Sequence, residues 1–320
     1  MRIAVMGTGG IGGYFGARLA AAGEDVTFIA RGAQLQALCE KGIAIESRLG
    51  SLLLPDVVAT DDPSHVPPPD IVLFCVKLWD VETAARQIKS MVGPKTAVIA
   101  LQNGVDAEAE LAEILGKDRV IGGVAHISAL VQEPGIIRHT GKLQRLTFGE
   151  LDRRPSDRTE NFLEACQHAK IDARLTDRID EAIWDKFIFL IAFSGLTSVM
   201  RVGIGPIRDD PECYGMFRAA MAEAFAVAKA KGIEFSYDPL AQWDKAIAAM
   251  PYDYRSSMLE DLERGRRLEL PWLSGTVARL GQQFGVDTPV NRFIATALKL
   301  HANPAPNPRA NPGAHPAKNP

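Results

Sequence analysis

Gly7-Thr8-Gly9-Gly10-Ile11-Gly12 follows a short apolar run, Ile3 to Met6, and leads into a helical pattern from Ile11 to Ala22. In that setting the glycines let the chain turn tightly and approach a pyrophosphate, whose charge the open N–H groups of a helix start stabilise. The spacing predicts a dinucleotide site formed by Gly7, Thr8, Gly9, Gly10, Ile11 and Gly12. The second β-rich run, Val26 to Ala30, ends at Arg31 and not at an acidic residue. A carboxylate there would bond a ribose 2′-hydroxyl, whereas a guanidinium pairs with a 2′-phosphate, so the expected cofactor is NADPH. A solvated arginine opening the next loop is the plainer alternative for Arg31.

Further chemistry falls at the ends of apolar runs. Lys77 follows Asp70 to Val76, and Gln102-Asn103-Gly104 follows Thr96 to Leu101. Ligands of open α/β sheets bind at strand carboxyl ends, so Lys77 is expected near the adenosine and Gln102 or Asn103 near the nicotinamide ribose or the substrate. Asparagine before glycine is equally a common turn pair. Lys186 lies within Ile183 to Phe193, a stretch apolar almost all round. An ammonium there must neutralise, find a carboxylate, or reach its head out to water. Held beside a ketone, it would stabilise the oxyanion that hydride addition creates and deliver the proton. His126 and His139 lie in strand-like segments without an acidic pattern and read as hydrogen-bonded structural histidines. No spacing of a metal-ligand cluster is present.

The elements that must carry these residues alternate between β-rich runs and helical patterns in the first half, the signature of a parallel sheet with crossover helices. Strands are expected at Ile3–Met6, Val26–Ala30, Ile71–Val76 and Thr96–Leu101, and helices near Ile11–Ala22, Gln34–Lys41, Val81–Met91 and Ala107–Leu115. Ile43–Glu46 and Leu52–Val58 read as a hairpin. Val120–Val131, Ile136–Thr140 and Arg145–Phe148 read as added strands. From Asp177 the periodicity becomes helical, with candidates at Ile179–Met200, Glu212–Lys231, Leu240–Ala249, Ser256–Arg264 and Pro271–Phe284. Gly203 to Pro206 reads as a joint, and Asp210 before Pro211 as a cap opening the next helix. The expectation is an α/β, Rossmann-type doubly wound N-terminal domain over residues 1–176 and an all-α C-terminal domain over 177–301. Residues 302–320 hold six prolines among nineteen residues and are expected to be a disordered Asn/Pro-rich tail.

Composition narrows the partners. With 320 residues, 47% hydrophobic and 23% charged, the chain can bury a sizeable core. A formal net charge of −3 gives no footprint for nucleic acid or an anionic membrane. The cysteines at 39, 75, 166 and 213 form no short-spaced pair and no targeting segment opens the chain, so a cytoplasmic location is expected. The apolar run Phe187–Met200 is short for a membrane span and includes Ser194, Gly195, Thr197 and Ser198, and reads as a buried helix.

Taken together, Gly7 to Gly12, Val76-Lys77-Leu78-Trp79, Gln102-Asn103-Gly104, Trp184-Asp185-Lys186, Ser256 to Asp261 and Arg267-Leu268-Glu269 resemble the ketopantoate reductase (2-dehydropantoate 2-reductase) family over nearly all of residues 1–301. The resemblance implies NADPH-dependent reduction of a small-molecule 2-oxo acid to a 2-hydroxy acid, in the family 2-dehydropantoate to pantoate on the pantothenate pathway. It implies Lys186 as general acid, Glu269 as a carboxylate orienting the substrate, and Asn103 and Ser257 as substrate-binding groups. Alone, Glu269 would read as a solvated acid near a helix start, and Ser257 as a helix N-cap. Leu190 and Ser194 share the Lys186 face of the helix where the family carries asparagines, so the substrate wall, Ser194 included, is more apolar here. A relative acting on another ketone, a β-hydroxyacid dehydrogenase and a non-catalytic NADPH-binding sensor are the other readings. A homodimer is left open.

Overall fold

The computed structural model describes residues 1–303 and divides into two compact units, Met1–Lys186 and the chain from Phe187 onward. The first unit runs β1 (Arg2–Met6), α1 (Gly10–Ala21), β2 (Asp25–Ile29), α2 (Gly32–Lys41), β3 (Ile43–Ser47), β4 (Leu52–Leu54), β5 (Val58–Thr60), β6 (Ile71–Phe74), α3 (Val81–Ile88) and β7 (Ala97–Ala100). It continues through α4 (Ala107–Leu115), β8 (Val120–Glu133), β9 (Ile136–Glu150), α5 (Asp157–His168) and β10 (Asp172–Leu175) into α6 (Ile179–Met200). One sheet has the order β4-β3-β9-β8-β7-β6-β1-β2-β5, with β10 on β9. β1, β2, β5, β6, β7 and β8 pair in parallel, while β8 and β9 form a long antiparallel ribbon.

Strands buried on both faces read as unbroken apolar runs, and β1 and β6 do so because helices cover each side. Ile3, Val5 and Leu73 pack with Tyr14 and Phe15 of α1 and Phe162 of α5. Ala4, Met6, Val72 and Phe74, the alternate residues of the same strands, pack with Ala84 and Ile88 of α3 and Leu111 of α4. This is the doubly wound layering expected.

Several expected elements differ. Only Leu52–Leu54 pairs with β3 as a hairpin; Val58–Thr60 crosses to the far edge and pairs in parallel with β2. Ile136–Thr140 and Arg145–Phe148 are one continuous strand, because β3 pairs with its first part and β10 with its second. β10 and α5 were not anticipated. In α5 only Thr159, Phe162, Ala165 and Cys166 are buried, so its apolar stripe is narrow.

α6 has the length and composition of a membrane span, yet 67% of its most apolar window is buried inside the fold, as the sequence implied. In the second unit follow α7 (Ile204–Asp209), α8 (Pro211–Ala230), α9 (Pro239–Ala248), α10 (Ser257–Glu263), α11 (Ser274–Phe284) and α12 (Pro289–Ala297). The joint at Gly203 to Pro206 is itself the start of α7, where Ile204 and Gly205 N–H groups bond the Tyr254 and Tyr252 carbonyls. α12 was also not anticipated; the Glu223 carboxylate anchors its first turn, accepting from the Val290 and Asn291 N–H groups. Asp210 caps α8 as expected, accepting from the Glu212 and Cys213 N–H groups. Of the expected tail, Ala302 is buried and its carbonyl accepts from Leu268 N–H, while residues 304–320 lie outside the described residues.

Candidate active site

The glycine run forms the turn from β1 into α1. Gly7 has φ +93°, and a Cβ there would meet the Val76 nitrogen at 2.9 Å, so only glycine fits. Gly10 is bound as tightly, since its Cβ would lie 2.2 Å from the Ala129 carbonyl oxygen of β8. Gly9 is the opposite case: among the described residues nothing stands within 4 Å of the position its Cβ would take. Among the described residues no side chain caps α1 at Gly9, so the N–H groups of the first turn are open to a ligand. This open cradle fits a pyrophosphate. Thr8 is buried, its hydroxyl donating to the Ile29 carbonyl. Gln34 was not anticipated: its amide nitrogen donates to the Thr8 carbonyl and its oxygen accepts from Gly135 N–H, tying the turn to the β8–β9 hairpin tip.

Arg31 is exposed at the start of α2, and its guanidinium donates to Gln87 Oε1 of α3. Lys77 is exposed beyond β6, its ammonium 5.5 Å from the Trp79 ring centroid. The Gln102 amide nitrogen donates to the Phe74 and Val76 carbonyls at 2.9 and 3.2 Å. Its Oε1 is buried and accepts nothing among the described residues, an acceptor that a bound ribose hydroxyl or carboxamide would satisfy.

Lys186 and Asn103 meet. Ile179 and Ile183 of α6 pack on Val124 of β8, and Gly122 beneath them leaves room for both isoleucines. That contact brings the next turn of α6 over the strand. The Lys186 ammonium donates to Asn103 Oδ1 and to the Ala125 carbonyl, each at 2.8 Å. Both are neutral oxygens, acceptors that fix the position of the ammonium.

His126 corrects an expectation. Strand alternation places it on the Val124 face, among the charges of Lys186, Arg145 and Arg174. Its Nδ1 is buried and has no partner among the described residues. Burial first, then those cations, lower its pKa to about 3, so the imidazole stays neutral. His139 is bonded at both ring nitrogens, as expected.

Glu108, in the first turn of α4, is raised to about 7, chiefly by burial, with its own N–H opposing and the Asp106 charge adding. Its native carboxyl thus keeps a proton that the unfolded chain loses from about pH 4.5. The associated stability is complete below that pH and fades as pH rises toward 7. Glu108→Gln is expected to flatten this decline, measured as urea midpoints at about pH 4.5 and about pH 7.5. Parallel declines in wild type and variant would contradict it.

In the second unit Ser194 is buried on α6 and Leu190 is half-buried. Glu269 is buried at the start of a 3₁₀ turn, Leu270–Trp272, and not a solvated acid. Ser257 is exposed at the first position of α10. The cap is its neighbour Ser256, whose hydroxyl accepts from Leu259 N–H at 3.1 Å and pairs with Thr197 Oγ1 at 2.7 Å.

Comparison with known proteins covers most of the described chain. The family described as Ketopantoate reductase PanE/ApbA matches residues 3–153, and its C-terminal counterpart matches residues 178–302. A 2-dehydropantoate 2-reductase of Archaeoglobus fulgidus is 33% identical over 93% of this chain and 97% of its own length. The crystal structure of 2-dehydropantoate 2-reductase from Geobacter metallireducens superposes with a TM-score of 0.88 at 32% identity, covering 93% of this chain and 99% of that one. A D-mandelate dehydrogenase solved with NADH and anilino(oxo)acetate shares the fold, with a TM-score of 0.85 at 21% identity over 94% of this chain and 98% of that one.

Proposed function

Because the chain belongs to the ketopantoate reductase family, we propose that it reduces 2-dehydropantoate to pantoate with NADPH, with Lys186 as the general acid. The chain is an oxidoreductase of a family that uses NADPH. When bound, the cofactor supplies a hydride to the ketone carbon. The observation that carries the reading is the Lys186 ammonium, anchored on Asn103 Oδ1 and the Ala125 carbonyl at the carboxyl edge of the sheet that also holds the glycine turn.

In this reading Gly7, Thr8, Gly9, Gly10, Ile11 and Gly12 receive the pyrophosphate. Arg31 receives the 2′-phosphate, and Lys77 and Gln102 flank the nucleosides. As negative charge builds on the ketone oxygen, the Lys186 ammonium stabilises it and transfers a proton, which solvent restores. Asn103 keeps the ammonium in position and binds substrate, and the neutral His126 adds no competing charge. Glu269, Ser257 and Ser194 are assigned to the substrate. The division of labour is a dinucleotide domain over 1–176 and a helical substrate domain over 177–301. Four free cysteines support a cytoplasmic setting. The test is NADPH absorbance against a panel of 2-oxo acids. Oxidation with 2-dehydropantoate above the others is expected; selective oxidation with a different acid would overturn the substrate, and none with any would overturn the reading.

A further inference from the structure

The β8–β9 ribbon shifts register at two places, near its tip between Val131 and Glu133 and, in its middle, between Ile127 and Ala129. Ile127 pairs with Gln144 and Ala129 with His139, so Thr140, Gly141, Lys142 and Leu143 of β9 stand opposite Ser128 alone. Such a bulge bends a strand and re-aims the residues beyond it. On one side lies the ladder of Ala125 with Leu146, whose Ala125 carbonyl holds Lys186. On the other side, the Ala129 carbonyl abuts Gly10, Gly135 N–H bonds the Gln34 that grips Thr8, and Ile137 lies against Gly13. The bulge is therefore the joint between the anchor of the ammonium and the support of the cofactor turn.

The joint is closed by specific groups. His139, buried to 3% exposure, donates from Nε2 to the Leu143 carbonyl at 2.9 Å, spanning the extra residues. Its Nδ1 accepts from Ser47 Oγ of β3 at 2.9 Å, and its ring lies 5.0 Å from that of Tyr14 in α1. Across the ribbon Ser128 Oγ and Thr140 Oγ1 bond at 2.8 Å, and Thr140 Oγ1 also reaches the Ser128 carbonyl at 3.4 Å. Neither Thr140 nor His139 belongs to the cofactor or substrate groups assigned above.

We propose that Thr140 and His139 are positioning residues that clasp this bulge and so set the spacing between the glycine turn and the Lys186 ammonium. The inference rests on the reading of Lys186 as the acid. A hydride must land on a carbon whose oxygen the ammonium already touches, and a displacement of about 1 Å in such an arrangement costs up to about a hundredfold in rate. Loosening the clasp leaves each anchor intact and spoils only their spacing.

Thr140→Val removes the hydroxyl at nearly constant volume, Thr140→Ser retains it, and His139→Gln tests the other half of the clasp should the valine variant fold poorly. Turnover per folded molecule with 2-dehydropantoate, NADPH affinity by fluorescence, and the isotope effect with NADPH deuterated at the transferred position are compared with wild type. Thr140→Val is expected to lose about tenfold in turnover with NADPH affinity within about twofold and an isotope effect no smaller than wild type, and Thr140→Ser to restore turnover. Wild-type turnover in Thr140→Val and His139→Gln, or a loss that follows NADPH affinity, would overturn the proposal. A wild-type enzyme that fails to oxidise NADPH would instead overturn the underlying reading, and the clasp with it.

Discussion

Lys186→Ala is expected to lower turnover about a thousandfold while NADPH still binds, the size of effect expected when a positioned proton donor and its charge are removed together. Binding survives because the ammonium is held by Asn103 Oδ1 and the Ala125 carbonyl, not by the glycine turn. The substitution also leaves two oxygens without their shared donor. Asn103 and its loop then relax, and substrate KM is expected to rise less than turnover falls. NADPH fluorescence titration beside steady-state kinetics separates these effects. A variant that loses cofactor affinity and turnover in equal measure would assign Lys186 a structural role.

Arg31→Ala is expected to weaken NADPH about 10- to 100-fold, since hydrogen bonds to a charged group contribute about 1.5–3 kcal/mol. NADH, which lacks the 2′-phosphate, should be affected within about twofold. The guanidinium is exposed and already bonded to Gln87 Oε1, so it is oriented before a phosphate arrives and its loss disturbs no core. Dissociation constants for both coenzymes at fixed ionic strength decide the matter, because a surface charge is screened by salt. Equal weakening of the two would mean that Arg31 does not meet the 2′-phosphate.

How far the site was legible depended on whether local chemistry carried it. The glycine turn was readable because its geometry demands glycine at Gly7, Gly10 and Gly12, whatever the rest of the chain does. Lys186 stood out because an ammonium within an apolar helix needs oxygen partners wherever it points. Its second partner was not readable, since the Ala125 carbonyl belongs to the backbone and any residue would supply it. Asp210 announced its helix through the proline behind it, but Ser256 and Ser257 both suit a cap, and only the fold chose between them. The bulge at Thr140 to Leu143 was hidden for a related reason. Apolar alternation on either side of it is the same for one strand or two, and the choice rests on pairing with β3 and β10, distant in sequence. His126 was misjudged because acidic neighbours were sought, while its surroundings are cationic and come from three separate elements.

Most direct is the single-turnover rate of Lys186→Ala with NADPH already bound, measured with and without added primary amines. The expected result is a hydride step slowed about a thousandfold that recovers in proportion to the added ammonium. A hydride step at the wild-type rate without any amine would contradict the role of Lys186 outright.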